Sequence, residues 1–123
     1  MVSAMERGES PVVRLVNAIL LSSLKKAATE LRLSPPNRVE FLMTGTWQLE
    51  LEPPPALFTQ VIRRLAVMAS LPVYDKHDAA TGLIQIRIGD DREARWHIVV
   101  TGHGAALTAH LRVPVDDVPT PYR

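Results

Sequence analysis

The residues of this chain that are best suited to chemistry are histidines and acidic residues in its last third. The histidines are His97, His103 and His110. No two of them have the i, i+4 spacing that would gather metal ligands on one face of a helix. Asp90, Asp91 and Glu93 lie beside a glycine but lack the pattern of a calcium-binding loop. We expect surface histidines, a solvated hairpin tip and no metal site.

Covalent catalysis and nucleotide hydrolysis lack their usual motifs. The chain has no cysteine, which excludes thiol catalysis, thiolate zinc sites and disulfides. It has no G-x-S-x-G elbow for a serine nucleophile. It also has no phosphate loop ending in a Lys-Ser/Thr pair and no glycine-rich dinucleotide motif. We therefore expect no enzymatic activity and no cofactor.

Short pairs of basic residues could form a patch that binds nucleic acid. They are Lys25-Lys26, Arg63-Arg64 and Arg92 with Arg95. The 14 Lys and Arg residues are balanced by 13 Asp and Glu residues, and the net charge of +1 gives little attraction to a phosphate backbone. Trp47 and Trp96 occupy apolar positions of predicted strands, so we expect them in the core rather than stacked on bases. The sequence predicts no nucleic-acid partner.

The composition indicates one globular domain. Hydrophobic residues make up 46% of the 123 residues and charged residues 22%, which is typical of folded domains. A chain of this length buries about two-thirds of the surface that its unfolded form exposes. The first ten residues lack the apolar region of a signal peptide, and no later apolar stretch is long enough to span a bilayer. We expect a cytoplasmic protein.

Two amphipathic helices are predicted. Ser10 and Pro11 form a helix start, and apolar residues then recur at helical spacing as far as Leu31, which predicts a helix over residues 11–30. After Pro53-Pro54-Pro55 the same periodicity from Phe58 onward predicts a second helix over residues 56–69. Residues 72–82 lack periodicity and are interpreted as a surface loop.

The remaining segments alternate as strands do. Residues 31–33 form a brief predicted strand, and a hairpin follows over residues 38–43 and 46–51, with a turn at Thr44-Gly45. In the second strand of this hairpin, Trp47, Leu49 and Leu51 are expected to share one face. Residues 84–88, 94–100 and 105–113 predict a three-stranded antiparallel meander.

The order of these elements predicts the fold class. A sheet with one apolar face must cover that face with the two helices. We therefore predict an α/β (α+β) domain, a two-layer sandwich with a mainly antiparallel sheet and two helices packed on one face. Residues 1–10 are expected to be a flexible N-terminus, residues 11–113 the domain, and residues 114–123 a proline-rich tail.

Five motifs and a late turn, in order, resemble the N-terminal, PAS-like domain that precedes the motor core of type II secretion and type IV pilus assembly ATPases. Residues 11–20 (PVVRLVNAIL) resemble P-x-V-x-L-V-N-x-I-L, and residues 28–35 (ATELRLSP) align with A-S-D-I-H-I-E-P. Residues 38–45 (RVEFLMTG) align with R-x-R-x-R-x-D-G. Residues 62–71 (IRRLAVMASL) and 81–89 (TGLIQIRIG) resemble I-x-R-I-K-V-M-A-x-L and D-G-R-I-x-x-R-I-G, and His103-Gly104 matches a late H-G turn.

The departures from this family pattern concern charged positions. The resemblance implies that arginines of the domain help to complete a nucleotide site built by the motor core. Glu40 and Leu42 stand where arginines are usual, Thr44 replaces the aspartate, and Arg32 replaces the histidine. Only Arg38 and Arg87 remain as phosphate contacts that the resemblance implies. We interpret the chain as a stand-alone, degenerate copy of the domain that has lost the nucleotide chemistry.

These observations lead to one main functional hypothesis. The chain is expected to be a non-catalytic, protein-binding adaptor or regulator of a secretion, type IV pilus or motility machine. Its partner would be a secretion or pilus ATPase or a membrane platform component, and self-association is compatible with the resemblance. Candidate contact surfaces are a sheet edge, the loop at residues 72–82 and the helix face that carries Arg63 and Arg64. The alternative is a small-ligand or nucleotide sensor, because PAS-like folds can enclose a pocket.

Overall fold

The first helix, α1 (Pro11–Lys25), begins where the sequence predicts it and ends earlier. The computed structural model describes residues 10–71, 79–90 and 92–114. Ser10 caps α1, since its hydroxyl oxygen accepts a hydrogen bond from the Val13 N–H at 3.2 Å. The helix does not reach residue 30, because Ala27 adopts a left-handed conformation with φ 55°. The Ala28 N–H then donates to the Ser23 carbonyl at 2.9 Å, which is a Schellman ending.

The second helix, α2 (Pro55–Met68), agrees with its prediction within one residue and ends in the same manner. Ser70 has φ 59°, and the Leu71 N–H donates to the Ala66 carbonyl at 2.8 Å. Neither helix has glycine at its left-handed position. Both endings therefore keep a strained residue in order to turn the chain sharply back onto the sheet.

Six strands form one sheet. They are β1 (Glu30–Ser34), β2 (Arg38–Met43), β3 (Thr46–Leu51), β4 (Ala80–Ile88), β5 (Arg92–Thr101) and β6 (Thr108–Arg112). Leu31, which was assigned to the end of the first helix as well as to a brief strand, lies in β1. Residues 80–82 belong to β4 rather than to the predicted loop, while residues 72–78 lie outside the described part of the chain.

The last predicted strand begins later than expected. Residues 104–106 form a single turn of 3-10 helix, so β6 starts at Thr108. Gly102 and Gly104, with φ of 79° and 58°, turn the chain before that helix. Ala105 is exposed as a result, although the alternating pattern placed it on the core face.

The strand order is β3-β2-β1-β6-β5-β4, and every neighbouring pair is antiparallel. Two local units, the hairpin with β1 and the meander, are joined where β6 pairs with β1. Leu31 lies opposite Leu111 in this central pair, and Leu33 lies opposite Ala109. The chain therefore closes its sheet with contacts between segments about 80 residues apart.

Both helices cover one face of this sheet, which confirms the two-layer α+β sandwich. The largest fully buried side chains come from helices and strands alike: Trp96, Phe41, Phe58, Leu20, Leu31, Leu33, Ile62, Leu65, Ile84, Ile98, Leu107 and Leu111. Gly82 lies against the end of α2, where a Cβ would come within 3.0 Å of the Ala69 carbonyl oxygen. That close approach lets α2 pack directly on β4.

Strand β3 contains an irregularity that changes which of its side chains face the core. The register between β2 and β3 shifts after Val39: Val39 lies opposite Leu51, but Glu40 lies opposite Leu49. The extra residue is Glu50, so the strand bulges there. Leu51 remains on the helix-covered face, while Leu49 is turned to the other side. The predicted common face of this strand is therefore wrong.

Candidate functional site: the open face of the sheet

The face of the sheet that the described helices leave uncovered is the surface most suited to binding. We call it the open face. Side chains at alternate strand positions point to it, and residues that lie opposite each other in the register share it. Its centre is formed by side chains from β1, β2, β3 and β6: Glu30, Arg32, Glu40, Leu42, Trp47 and His110.

Trp47 is the aromatic centre of the open face, not a core residue. It lies opposite Leu42 and is only half-buried, whereas Trp96 is fully buried as expected. The Arg32 guanidinium carbon lies 4.1 Å from the centroid of the Trp47 ring, in a cation–π arrangement. The His110 ring is tilted at 56° to the Trp47 ring, with centroids 6.1 Å apart. The bulge at Glu50 is the reason, since it reverses the side to which Trp47 points.

Glu40 holds two arginines on the open face. The Arg32 Nε donates to Glu40 Oε1 at 3.0 Å, and the Arg38 Nη2 donates to Oε2 of the same carboxylate at 3.1 Å. These hydrogen bonds, from Arg32 first and Arg38 second, lower the pKa of Glu40 below its usual value. At neutral pH the ionised carboxylate therefore anchors Arg32, and Arg32 in turn lies over the Trp47 ring.

His110 is held in turn by Glu30. Its Nε2 donates to Glu30 Oε1 at 2.6 Å, because an ionised carboxylate can only accept. The contacts thus run in an unbroken series, and we call the five residues the Trp47 cluster: Glu40, Arg32, Trp47, His110 and Glu30. Each long side chain of the series is restrained before any partner arrives, which reduces the entropy lost on binding.

This arrangement is suited to the recognition of a partner surface. Its carboxylates are engaged by arginine or histidine, and it lies on the open face of the sheet. Tryptophan and arginine are the side chains that most often dominate the energy of protein interfaces. Exposed apolar side chains lie on the same face beside them, namely Leu49 at 45% exposure, Val99 at 37% and Leu83 at 36%.

The four arginines proposed from the sequence are not brought together. Arg38 and Arg87 both point to the open face, but they lie on β2 and β4, which are separated by about 19 Å across the sheet. The Arg87 Nη1 donates to the Asp90 carbonyl at 3.2 Å. Arg63 and Arg64 are exposed on α2, in the other layer of the sandwich. These positions define no common site for a phosphate group.

The three histidines lie on three different elements. His97 and His110 lie on β5 and β6 of the open face, and His103 lies in the exposed turn before the 3-10 helix. Within the described residues, no group of three His, Cys, Asp or Glu side chains is placed to hold a metal ion. In that same part of the chain, no helix is long and apolar enough to cross a membrane.

A groove lies on the other layer, between α1 and the β3 edge. It has a volume of about 290 Å³ and is lined by Leu15, Ala18, Ile19, Ser22, Lys26, Phe41, Glu50 and Leu51. Lys26, from just beyond the end of α1, forms an ion pair with Glu50 beside this groove. Glu50 is the bulged residue of β3, and its side chain is only 10% exposed.

Sequence reasoning missed most of the Trp47 cluster. Arg32 and Glu40 were noted as departures from a family pattern, and their pairing across β1 and β2 depends on a register that the sequence does not state. The bulge in β3 has no signal in the sequence, because Glu50 falls in the polar phase of a regular apolar-polar alternation from Trp47 to Leu51.

Comparison with known proteins identifies the class to which this domain is related. No family model matches the chain. The chain is homologous to the N-terminal region of the type II secretion and type IV pilus assembly ATPases, as its motifs indicate. It is 33% identical over 95 residues to the type IV pilus assembly ATPase PilB of Myxococcus xanthus, a match that covers 75% of this chain and 17% of that protein.

A second relative comes from the secretion branch. The type II secretion system protein E of Xanthomonas campestris pv. campestris is 28% identical over 107 residues, covering 84% of this chain and 19% of that protein. The chain thus spans less than a fifth of the length of these two relatives. Any activity of the whole proteins is therefore a separate question from the fold of this domain.

Solved structures agree on the fold. The Legionella pneumophila ATPase DotB superimposes with a TM-score of 0.61 at 10% identity, covering 81% of this chain and 29% of that one. The VirB11 ATPase of the Brucella suis type IV secretion system gives a TM-score of 0.56 at 14% identity, covering 90% of this chain and 33% of that one. At such identities the likeness extends to the fold alone.

Proposed function

We propose that this domain is a non-catalytic, protein-binding adaptor or regulator that acts in the cytoplasm on a secretion, type IV pilus or motility machine. The observation that carries the proposal is the Trp47 cluster, an ordered aromatic and arginine centre on an open sheet face. Homology to the N-terminal region of secretion and pilus ATPases supports the association with such machinery.

The Trp47 cluster has the features of an energetic centre of binding. Trp47 presents a large ring that Arg32 contacts and beside which His110 lies, so a partner would meet side chains that are already restrained. Exposed Leu49 continues the apolar area along β3. Covering these groups would remove apolar surface from water while leaving the carboxylate of Glu40 satisfied by its arginines.

The charges on the open face indicate the chemistry of the partner. The arginines that point to this face are Arg32, Arg38, Arg87, Arg95 and Arg112, and the glutamates are Glu30, Glu40 and Glu93. The arginines therefore outnumber the glutamates. A partner surface with acidic residues around an apolar centre would be complementary, and the proposed partner is a secretion or pilus ATPase or a membrane platform component of such a machine.

Affinity capture with a matched pair of variants tests this proposal. The tagged wild-type protein is expected to recover a secretion, pilus or motility component from its native cells. Trp47→Ala is expected to lose that component, because the apolar centre and the stacking of Arg32 disappear. Val67→Ala, which shortens a side chain that is 62% exposed on α2, is the control and should retain it. Recovery that is equal for both variants, or no machine component at all, would contradict the proposal.

A small-ligand sensor is the second candidate, and the groove between α1 and β3 is the observation that favours it. Its apolar floor and the Lys26–Glu50 pair beside it offer shape together with one charge of each sign. Calorimetric titration with nucleotides and cyclic dinucleotides tests this candidate. Saturable binding that Glu50→Gln weakens would favour the sensor, and the absence of binding heat would remove it.

A further inference from the structure

The two edges of the sheet are protected very differently. Edge strand β3 is short, carries a bulge, turns the charged Glu50 to the covered face and is followed by Pro53, Pro54 and Pro55. Each of these features blocks the addition of another strand.

Edge strand β4 has none of these protections. It spans nine residues, and its pairing with β5 continues without a register shift from Ala80 to Ile88. It contains no proline and no lysine, and its one charged residue is Arg87. In the described part of the chain nothing pairs with its outer side. Because every second residue of an antiparallel strand directs its N–H and C=O away from its partner, β4 presents a row of backbone donors and acceptors.

We propose that a second copy of this chain occupies that edge, through antiparallel pairing of β4 with β4 about a two-fold axis near Ile84 and Gln85. The two sheets would then form one continuous sheet of twelve strands, with the helices of both copies on the same side. In an antiparallel pair, residues that lie opposite each other share one face of the sheet. A two-fold axis that passes between a residue and its own copy therefore places covered-face residues opposite covered-face residues.

The sequence of β4 is complementary to itself in this arrangement. With the axis at Ile84, Ile86 lies opposite Gly82 of the second copy, and with the axis at Gln85 it lies opposite Ile84. In both registers the apolar row on the covered face is continuous across the interface. Ile86 and Ile88 pack against the core but remain only partly buried, and the second copy would cover them.

Charge does not oppose the pairing. In the two registers Arg87 lies opposite Thr81 or Leu83 of the second copy, so no like charges meet. Its guanidinium is also held by the Asp90 carbonyl at the hairpin end. The edge therefore lacks the repulsion by which natural edge strands usually prevent association.

A charge-swap experiment tests the dimer in solution. Sedimentation equilibrium of the full chain over a range of concentrations is expected to show a monomer–dimer equilibrium. Gln85→Lys is expected to raise the dimer dissociation constant at least about fivefold, since two lysines would face each other near the axis. Gln85→Glu should do the same, and an equimolar mixture of the two variants should recover dimers. Gln48→Lys, on the β3 edge, is the matched control and should leave the equilibrium unchanged.

Cysteine cross-linking tests the geometry independently, because the natural chain has no cysteine. A single Gln85→Cys variant is expected to form a disulfide-linked dimer under mild oxidation, whereas Gln48→Cys is not, since a disulfide needs Cα atoms within about 7 Å. Circular dichroism verifies that each variant is folded. A wild-type chain that remains monomeric at millimolar concentration would overturn the proposal, as would a dimer that cross-links through residue 48 instead.

Discussion

Trp47 and Trp96 are the two tryptophans of the chain, and their environments differ in a way that measurements can separate. Trp96 is fully buried, and its indole N–H has no hydrogen-bond partner within the described residues. Trp47 is half-buried under Arg32 on the open face. One residue therefore serves the stability of the fold, while the other is available for recognition.

We expect the two truncations to differ sharply in stability. Trp96→Ala should lower the free energy of unfolding by about 3–5 kcal/mol, because it leaves a large cavity in the core. Trp47→Ala should cost only about 1 kcal/mol, the scale of an exposed cation–π contact. Urea unfolding followed by far-ultraviolet circular dichroism measures both values. Equal losses would mean that Trp47 is a core residue after all.

Glu40 predicts a pH dependence with a definite sign. Its pKa in the folded state is lowered by hydrogen bonds from Arg32 and then Arg38. A group with a depressed folded pKa contributes stability above its unfolded pKa, about 4.3 for glutamate, and loses that contribution as the pH falls through the folded value. The stabilisation should therefore be present at neutral pH and decline below about pH 4.

Comparison of variants isolates this contribution. The difference in unfolding free energy between wild type and Glu40→Gln should shrink as the pH is lowered from 6 towards about 3. The Glu40 carboxylate becomes protonated in this range and is then uncharged, as glutamine always is. Because Arg32 and Arg38 are exposed at their outer ends, the effect should be small and should weaken with added salt. Glu52→Gln, an exposed position just beyond β3, is the control. A difference that grows as the pH falls would contradict the assignment.

At the scale of elements, the helix endings are places where local conformation is strained. Ala27 and Ser70 hold left-handed conformations in the two Schellman endings, and neither is glycine. An L-residue in this region costs about 1–2 kcal/mol relative to its usual conformation, and glycine removes that cost at the expense of entropy. A substitution that removes this conformational cost should therefore raise the free energy of unfolding.

Ala27→Gly is expected to stabilise the protein by about 0.5–1 kcal/mol, because the relief of strain exceeds the entropy that glycine loses on folding. The matched control is Ala18→Gly, at an exposed position inside α1, which should destabilise the protein by about the same amount. Thermal unfolding of both variants against wild type is sufficient. A fall in the melting temperature of Ala27→Gly would show that the left-handed ending is not populated.

The bulge in β3 is the element-scale feature with the greatest consequence for function. Without it, Trp47, Leu49 and Leu51 would lie on one face, as simple alternation predicts. With Glu50 inserted, Leu51 stays in contact with the core while Trp47 joins Arg32 on the open face. A single extra residue therefore creates the proposed binding centre and also protects that edge from strand addition.

At the scale of the whole molecule, the described residues form one hydrophobic core. Among them, no three His, Cys, Asp or Glu side chains are grouped so as to hold a metal ion. The two arginines proposed for phosphate contact, Arg38 and Arg87, lie on strands β2 and β4, which are not neighbours in the sheet. We therefore expect the purified chain to release no phosphate from ATP above the background of a denatured sample. A colorimetric phosphate assay with magnesium checks this, and hydrolysis that purifies together with the folded protein would refute the non-catalytic assignment.

Much of the fold could be predicted because it depends on local patterns. Ser10 and Pro11 mark the start of α1, the three prolines at residues 53–55 precede α2, and alternation identifies the strands of the hairpin and the meander. These signals arise from side chains a few residues apart, so one stretch of sequence contains all the information. The same locality explains why the two helices could be assigned to one face of a sheet.

Which residues lie opposite each other across the sheet could not be predicted from local patterns, because it depends on the order and register of the strands. The pairing of β6 with β1 brings His110 to Glu30, and the register of β1 with β2 brings Arg32 to Glu40. These partners are fixed by the order of strands and by one bulge, and both depend on the packing of the entire core. Local patterns were therefore sufficient to predict the elements and most of their buried faces, whereas the face of β3 and the proposed binding surface depend on how distant strands pair.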